Sequence, residues 1–118
     1  MQTHEVVWDL QAKLCATMAN PIRLRILDVL ATGEASVGEI SERIGVAIGT
    51  VSRHLRGMRD ANVLATRREG RAIYYRVRHH KIVECCHLVR QVLIEDLAEQ
   101  GRIGEGLTAH ELTTRPAR

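Results

Sequence analysis

Two short amphipathic segments joined by one glycine constrain the fold of this chain more than any other feature. Ser36 precedes the first segment and Glu39 follows three residues later, which is the capping-box pattern of a helix N-terminus. This helix, residues 37–44, is predicted to end at Gly45, a residue that tolerates positive φ. A second helix over residues 47–61 follows, and its predicted buried face carries Ile48, Val51, Leu55 and Met58. Two short helices joined by a tight turn predict a helix-turn-helix.

The periodicity changes after Asn62, which is expected to adopt the left-handed conformation at the end of the second helix. Residues 63–68 and 72–77 are rich in residues typical of strands, and Glu69-Gly70-Arg71 separates them. The predicted hairpin carries three arginines near its tip: Arg67, Arg68 and Arg71. A helix-turn-helix followed by a basic hairpin predicts a winged helix.

Three further helices complete the predicted fold. Two precede the helix-turn-helix, over residues 5–18 and from Pro21 to about Gly33, and one runs from His79 or His80 to Gln100. The last helix has two adjacent apolar stripes, formed by Ile82, Cys85, Cys86, Leu88, Val89, Val92 and Leu93. A small monomer would not bury so much apolar surface on one helix, so we expect a homodimer. The predicted fold class is therefore mainly α with a small β-hairpin: five helices plus a two-stranded wing in a domain of residues 1–101, with residues 102–118 as a mobile tail.

Charge is distributed unevenly along the chain. Nine basic residues between Arg53 and Lys81 are opposed by only two acidic ones, so this segment carries +7 whereas the whole chain carries +3. Such clustering is typical of a protein that binds a polyanion, and double-stranded DNA is the partner expected of a winged helix. Aromatic residues make up only 3%, which argues against a single-strand binder that stacks bases on rings.

Other features of the sequence exclude several classes of protein. No apolar run approaches the roughly 18–20 residues that span a bilayer, so no membrane association is expected. The N-terminus lacks a basic segment followed by an apolar core, and three cysteines cannot all pair, so we expect a cytoplasmic protein. Without a Cys-x-x-Cys motif, a Ser/His/Asp arrangement or a phosphate-binding loop, the chain is not expected to be an enzyme.

The predicted DNA-contacting residues lie on the exposed side of the second helix of the pair and on the wing. Small residues at its N-terminus would let the helix approach the major groove, and the arginines would meet phosphates. The complete predicted set is Ser36, Gly49, Thr50, Ser52, Arg53, His54, Arg56, Arg67, Arg68 and Arg71.

The segments NPIRLRILDVL, SVGEISERIGVAIGTVSRHLRGMRDANVL and ATRREGRAIYYRV resemble the ArsR/SmtB family of small bacterial repressors that respond to metals or thiol chemistry. The resemblance covers roughly residues 8–97, with Asn62 where the family commonly has glycine. It implies a homodimer in which the first and last helices pack across a two-fold axis and the recognition helices read an imperfect palindrome. It also implies a repressor that leaves its operator when an inducer binds.

Two inducer sites familiar in the family lack their ligands in this sequence. Residues 35–39 contain no cysteine, and Lys81 and Val92 stand at two positions of the zinc site on the last helix, where His79 and Glu95 occupy the other two. What remains is Cys15 in the first helix and the adjacent pair Cys85 and Cys86 in the last.

If the first and last helices pack as the resemblance implies, the three thiols would converge on one ligand. Three thiolates suit a thiophilic ion such as As(III), Sb(III), Cd(II) or Pb(II), so As(III) or a related ion is the predicted inducer, and no organic cofactor is expected. Cys15, Cys85 and Cys86 are the predicted metal ligands.

Other interpretations of these residues stay open. The three cysteines could be buried as small apolar side chains, or Cys15 could form a disulfide or polysulfide bridge with Cys85 or Cys86 in a redox sensor. His80, Glu84 and His87 occupy i, i+4 and i+7 of the last helix and could form part of a Zn²⁺ or Ni²⁺ site. Two further classes, a thiol oxidoreductase and a winged helix that binds protein instead of DNA, are disfavoured by the missing motif and by the arginine cluster.

Overall fold

The computed structural model describes residues 3–101 and contains five helices and three strands within that range. In chain order they are α1 (Thr3–Met18), α2 (Pro21–Leu30), β1 (Ala35–Ser36), α3 (Val37–Ile44), α4 (Ile48–Asp60), β2 (Leu64–Glu69), β3 (Ala72–Val77) and α5 (His80–Glu99). The chain divides into two compact units, one ending at His79 and the other beginning at His80. The predicted mainly α winged fold is confirmed, and the predicted tail of residues 102–118 lies outside the described residues.

Two neighbouring residues in the sequence determine where α2 begins. Asn20 has extended backbone angles, and its side-chain oxygen accepts hydrogen bonds from the backbone N–H groups of Ile22, at 2.9 Å, and Arg23, at 3.2 Å. Pro21 occupies the first helical position, where its missing N–H costs nothing. The Asn20-Pro21 pair therefore starts the helix from local sequence alone.

The predicted capping box of α3 is present. The Ser36 hydroxyl accepts from the Glu39 amide at 3.2 Å, and the Glu39 carboxylate accepts from the Ser36 amide at 3.0 Å. Gly45 ends the helix in the left-handed conformation, with φ of 68°. The guanidinium of Arg25 donates to the carbonyl of Ile44 at 2.6 Å, so α2 satisfies one of the carbonyls left unpaired at the end of α3.

The wing belongs to a three-stranded antiparallel sheet with the order β1-β3-β2. The β2–β3 register runs from Leu64 opposite Val77 to Glu69 opposite Ala72, and Gly70 takes φ of 61° in the connecting turn. The prediction of a two-stranded wing is incomplete, since β1 adds to the sheet by pairing with β3. A strand of two residues is too short to show any alternation in the sequence, so only the fold reveals it.

The core of the first unit lies among α2, α3, α4 and the sheet. The predicted apolar stripe of α4 is confirmed for Val51, Leu55 and Met58, all fully buried, but it is wrong for Ile48, which is 56% exposed. Ile48 is the first residue of α4 and precedes the buried residues of the stripe. Other fully buried side chains are Ile26, Leu27, Leu30, Ile40, Val63 and Leu64.

Helices α1 and α5 leave most of their apolar side chains exposed. Trp8 of α1 is 66% exposed and Leu88 of α5 is 64% exposed. The exposed large apolar residues on these two helices are Val6, Val7, Trp8, Leu10, Leu88, Val89, Val92 and Leu93. Within residues 3–101, no helix is both long enough and apolar enough to span a bilayer.

Candidate nucleic-acid interface

The exposed side of α4 is basic and, apart from the exposed Ile48, carries small side chains near its start. Arg53 and Arg56 are exposed, and no hydrogen bond or ion pair engages either side chain within the described part of the chain. Gly49 is exposed, and a Cβ added there would meet no atom within 4 Å. Thr50 and Ser52 are half-buried at the flanks of this surface. The helix therefore presents two unpaired cations beside a stretch of backbone that a ligand can approach closely.

His54 lies on the same helix but contributes to packing. The Arg23 side chain donates from Nε to Nδ1 of His54 at 3.1 Å and from Nη1 to the Thr17 carbonyl at 3.2 Å. Because Nδ1 accepts this bond, the neutral ring carries its proton on Nε2. Gly57 makes room for the guanidinium, since a Cβ there would lie 2.6 Å from Nη2 of Arg23.

The environment of His54 favours its neutral form. Partial burial lowers the pKa of His54, and the positive charges of Arg23 and Arg53 lower it further. A neutral imidazole with a proton on Nε2 is a hydrogen-bond donor that carries no net charge. His54 can therefore position α4 against α2 on one side and donate a hydrogen bond on the other.

The three arginines near the tip of the wing fall into two groups. Arg68 and Arg71 are exposed, and no ion pair engages them within the described residues. Arg67 is bound by two carboxylates: its Nη2 lies 2.6 Å from Oε1 of Glu34, and its Nη1 lies 2.9 Å from Oε2 of Glu69. The same guanidinium lies over the Tyr74 ring at 4.7 Å from the centroid.

The Glu34–Arg67 pair shifts both groups toward their charged forms. The hydrogen bond from Arg67 lowers the pKa of the Glu34 carboxyl, and the Glu34 carboxylate raises the pKa of Arg67. Arg67 is thus already neutralised locally, unlike Arg68 and Arg71, so a phosphate would have to compete with Glu34 for it.

Three residues that contribute to this surface were not predicted from the sequence. Ile48 was placed in the core, and neither Arg23 nor Glu34 was singled out. Gly57 was a usable signal for Arg23, because a glycine inside a helix marks a close approach by another group. Glu34 lies 33 residues from Arg67, and no local pattern connects the two.

The predicted sensor residues are located on different units. Cys15 of α1 and Cys85 of α5 are exposed, Cys86 of α5 is half-buried, and none of the three is in a disulfide. His80, Glu84 and His87 are exposed along α5. Within residues 3–101, no three His, Cys, Asp or Glu side chains are grouped so as to hold a metal ion. Both metal sites therefore stay predictions.

Comparison with known proteins places the chain among transcriptional regulators. A family described as a helix-turn-helix domain matches residues 18–67. An uncharacterised helix-turn-helix transcriptional regulator of Mycobacterium tuberculosis, Rv0081, is 35% identical over 106 residues, which cover 89% of this chain and 93% of that protein. The biofilm growth-associated repressor of Xylella fastidiosa is 36% identical over 73 residues, covering 62% of this chain and 64% of the repressor.

A solved structure extends this similarity to the fold. The homodimeric winged helix-turn-helix DNA-binding domain of Mb0332 from Mycobacterium bovis, a possible ArsR-family transcriptional regulator, is 31% identical and superposes with a TM-score of 0.74. The match covers 84% of this chain and 92% of that domain. The winged helix-turn-helix fold and the identity over most of the chain agree with these relatives, and the chain belongs to the ArsR/SmtB-type winged helix-turn-helix transcriptional regulators.

Proposed function

We propose that this protein is a homodimeric transcriptional repressor that binds double-stranded operator DNA through α4 and the wing. The observation that carries the proposal is the set of four exposed arginines without ion-pair partners, Arg53 and Arg56 on α4 and Arg68 and Arg71 on the wing. Helix α4 would enter the major groove, and the wing would contact the flanking backbone. The repressor activity of one relative and the DNA-binding domain of another support this function.

The homodimer would form through α1 and α5. These helices hold eight of the nine large apolar side chains that are exposed within the described residues. Burying them against a second copy removes apolar surface from water at about 25 cal/mol per Å², which is the simplest reason for a soluble domain to carry it. The homodimeric state of the Mb0332 domain supports the same assembly.

Salt dependence of duplex binding tests the DNA-binding role. Fluorescence anisotropy would follow binding of the protein to the DNA upstream of its own gene over a range of salt concentrations. The slope of log K against log salt is negative, and each phosphate contact that is lost makes it shallower by about 0.9. We expect Arg53→Ala to weaken binding and to make the slope shallower by about that amount for each protomer.

Arg59→Ala is the matched control for this experiment. It removes the same charge from the other end of α4, where Arg59 lies 3.5 Å from Asp60, and we expect it to change the slope little. Duplex affinity that does not respond to salt would contradict the proposal and favour a winged helix that binds protein.

We further propose that the inducer acts at the cysteines, with As(III) or another thiophilic ion as the ligand of Cys15, Cys85 and Cys86. The chemistry of three thiols supports this ligand class, because thiolates bind soft ions far better than oxygen donors do. Pairing of α1 with α5 across the dimer would give the site its three sulfurs. Binding there would act on the helices that set the spacing of the two recognition helices.

A redox sensor is the second candidate, and the exposure of two thiols favours it. Cys15 and Cys85 are both accessible to an oxidant or a polysulfide. Hydrogen peroxide would accept two electrons and both thiol protons as Cys15 forms a disulfide with Cys85 or Cys86, and it would leave as two molecules of water. The Zn²⁺ or Ni²⁺ site at His80, Glu84 and His87 stays a third candidate and is supported only by the spacing.

One titration separates these inducers. Reduced protein bound to its DNA would be titrated with arsenite, with a thiol oxidant, and with Zn²⁺ or Ni²⁺, and release would be followed by anisotropy. We expect stoichiometric arsenite to release the wild type and to leave Cys86→Ser bound, with DNA affinity in the absence of arsenite unchanged. Release of Cys86→Ser by arsenite would contradict the cysteine site. Release by oxidant alone, reversed by a reductant, would support the redox sensor instead.

A further inference from the structure

Ile48 is an exposed isoleucine for which neither the core nor the proposed dimer interface accounts. Its side chain is 56% exposed, although isoleucine is among the residues most often buried. Within residues 3–101, every other exposed large apolar residue lies on α1 or α5. Ile48 lies instead at the first position of α4, on the helix that carries the two unpaired arginines. A molecule other than the core or a second copy of the chain would therefore have to cover it.

Ile48 lies where the buried and the exposed sides of α4 meet. Val51 at i+3 is fully buried, whereas Ser52 at i+4 is half-buried and Arg56 at i+8 is exposed. Gly49 is next to it, and the space beside Gly49 is open. Ala47 precedes it and makes no side-chain hydrogen bond at the helix start. The exposure of Ile48 and the open space beside Gly49 leave its side chain accessible to a molecule that approaches the N-terminus of α4.

We propose that Ile48 reads thymine by packing its aliphatic side chain against the C5-methyl group of that base in the major groove. The inference rests on the proposed DNA-binding function and names one residue that determines its sequence specificity. In helix-turn-helix proteins the N-terminal residues of the recognition helix reach the base edges. The thymine methyl is the one apolar group that the major groove presents, and apolar side chains recognise it by contact.

Ile48 would act differently from the arginines of the same surface. A hydrocarbon side chain cannot neutralise a phosphate, so its contact releases no counterion and leaves the salt slope unchanged. Its contribution depends on the base, whereas a contact between Arg53 and a phosphate does not. This difference separates the inference from the proposed function in one set of measurements.

The expected effect follows from the size of one methyl group. Burying a methyl-sized group is worth ~0.8 kcal/mol, which is about fourfold in affinity. A symmetric operator offers one such thymine to each protomer, so replacing both with deoxyuridine should weaken wild-type binding by about 15-fold. Deoxyuridine lacks only the methyl group, and it keeps the base pair and its hydrogen bonds.

The experiment first selects binding sites from a randomised duplex pool with the wild type and with Ile48→Ala. We expect the wild type to enrich thymine at one position in each half-site, and Ile48→Ala to lose the preference at that position alone. Deoxyuridine is then placed at that thymine in the selected duplex. The wild type should lose about 15-fold and Ile48→Ala less than twofold, both with the same salt slope. Ile48→Val keeps branched methyl groups and should retain most of the discrimination.

Several outcomes would overturn the inference. Identical selected motifs for the wild type and Ile48→Ala would show that Ile48 does not read a base. A deoxyuridine penalty of the same size in both proteins would assign the methyl contact to another residue. Thermal unfolding of each variant verifies folding, which an exposed side chain should not affect. If the wild type shows no salt-dependent binding to any duplex, the proposed DNA-binding function fails, and the role of Ile48 fails with it.

Discussion

Substitution of Gly57 by alanine tests the contact that joins α4 to α2. Gly57 lies inside α4, and a Cβ there would lie 2.6 Å from Nη2 of Arg23, closer than real Cβ contacts come. We expect the guanidinium to move away from the new Cβ and to lose its bonds to His54 and to the Thr17 carbonyl, which are 3.1 and 3.2 Å long. The substitution thus exchanges two tertiary hydrogen bonds for a better helix former.

The balance of these effects determines the sign of the result. Alanine in place of glycine favours a helix by about 1 kcal/mol. Two hydrogen bonds from a charged, half-buried donor are worth roughly 3 kcal/mol together. We therefore expect Gly57→Ala to lower the free energy of unfolding by about 2 kcal/mol, a fall in Tm of roughly 6–12 °C for a chain of this size.

Thermal and urea unfolding at one fixed protein concentration measure this effect, since the stability of a dimer depends on concentration. Gly49→Ala is the matched control on the same helix: its Cβ meets nothing, so it should stabilise the fold by up to about 1 kcal/mol. In an Arg23→Ala background the collision is absent, and Gly57→Ala should stabilise by about 1 kcal/mol. Equal stabilisation by Gly57→Ala with and without Arg23 would refute the reasoning.

Three further substitutions test single interactions. Burial and nearby arginine charges hold the pKa of His54 below 6.5, so the protein should keep its stability above pH 6.5 and lose it as the pH falls below that value. His54→Gln can still accept the hydrogen bond from Arg23, and it should make Tm depend less on pH. Ser36→Ala removes the acceptor of the capping box and should lower the free energy of unfolding by about 1 kcal/mol in a urea titration; no change would show that the cap is dispensable. Glu34→Gln should release Arg67 toward phosphate and steepen the salt slope of DNA binding, and weaker binding at all salt concentrations would show instead that Glu34 holds Arg67 in place.

Local patterns in the sequence determined most of the fold. Each of these patterns involves only a few neighbouring residues, so it can be recognised without knowledge of distant contacts. They are the capping box at Ser36, the left-handed residues Gly45 and Asn62, and the change from helical to alternating periodicity. The basic segment from Arg53 onward likewise predicted a DNA-binding surface, because clustered charge is visible in one dimension.

Tertiary structure alone decided which side chains of that surface are available. Arg67 and Arg68 are neighbours in the sequence, yet only Arg67 is bound by Glu34, a residue 33 positions away. Ile48 fits the apolar period of α4 but is 56% exposed, whereas Val51, one turn further along the same helix, is fully buried. Periodicity states which side of a helix is apolar, whereas burial depends on what packs against each turn, and that is a property of the assembled fold.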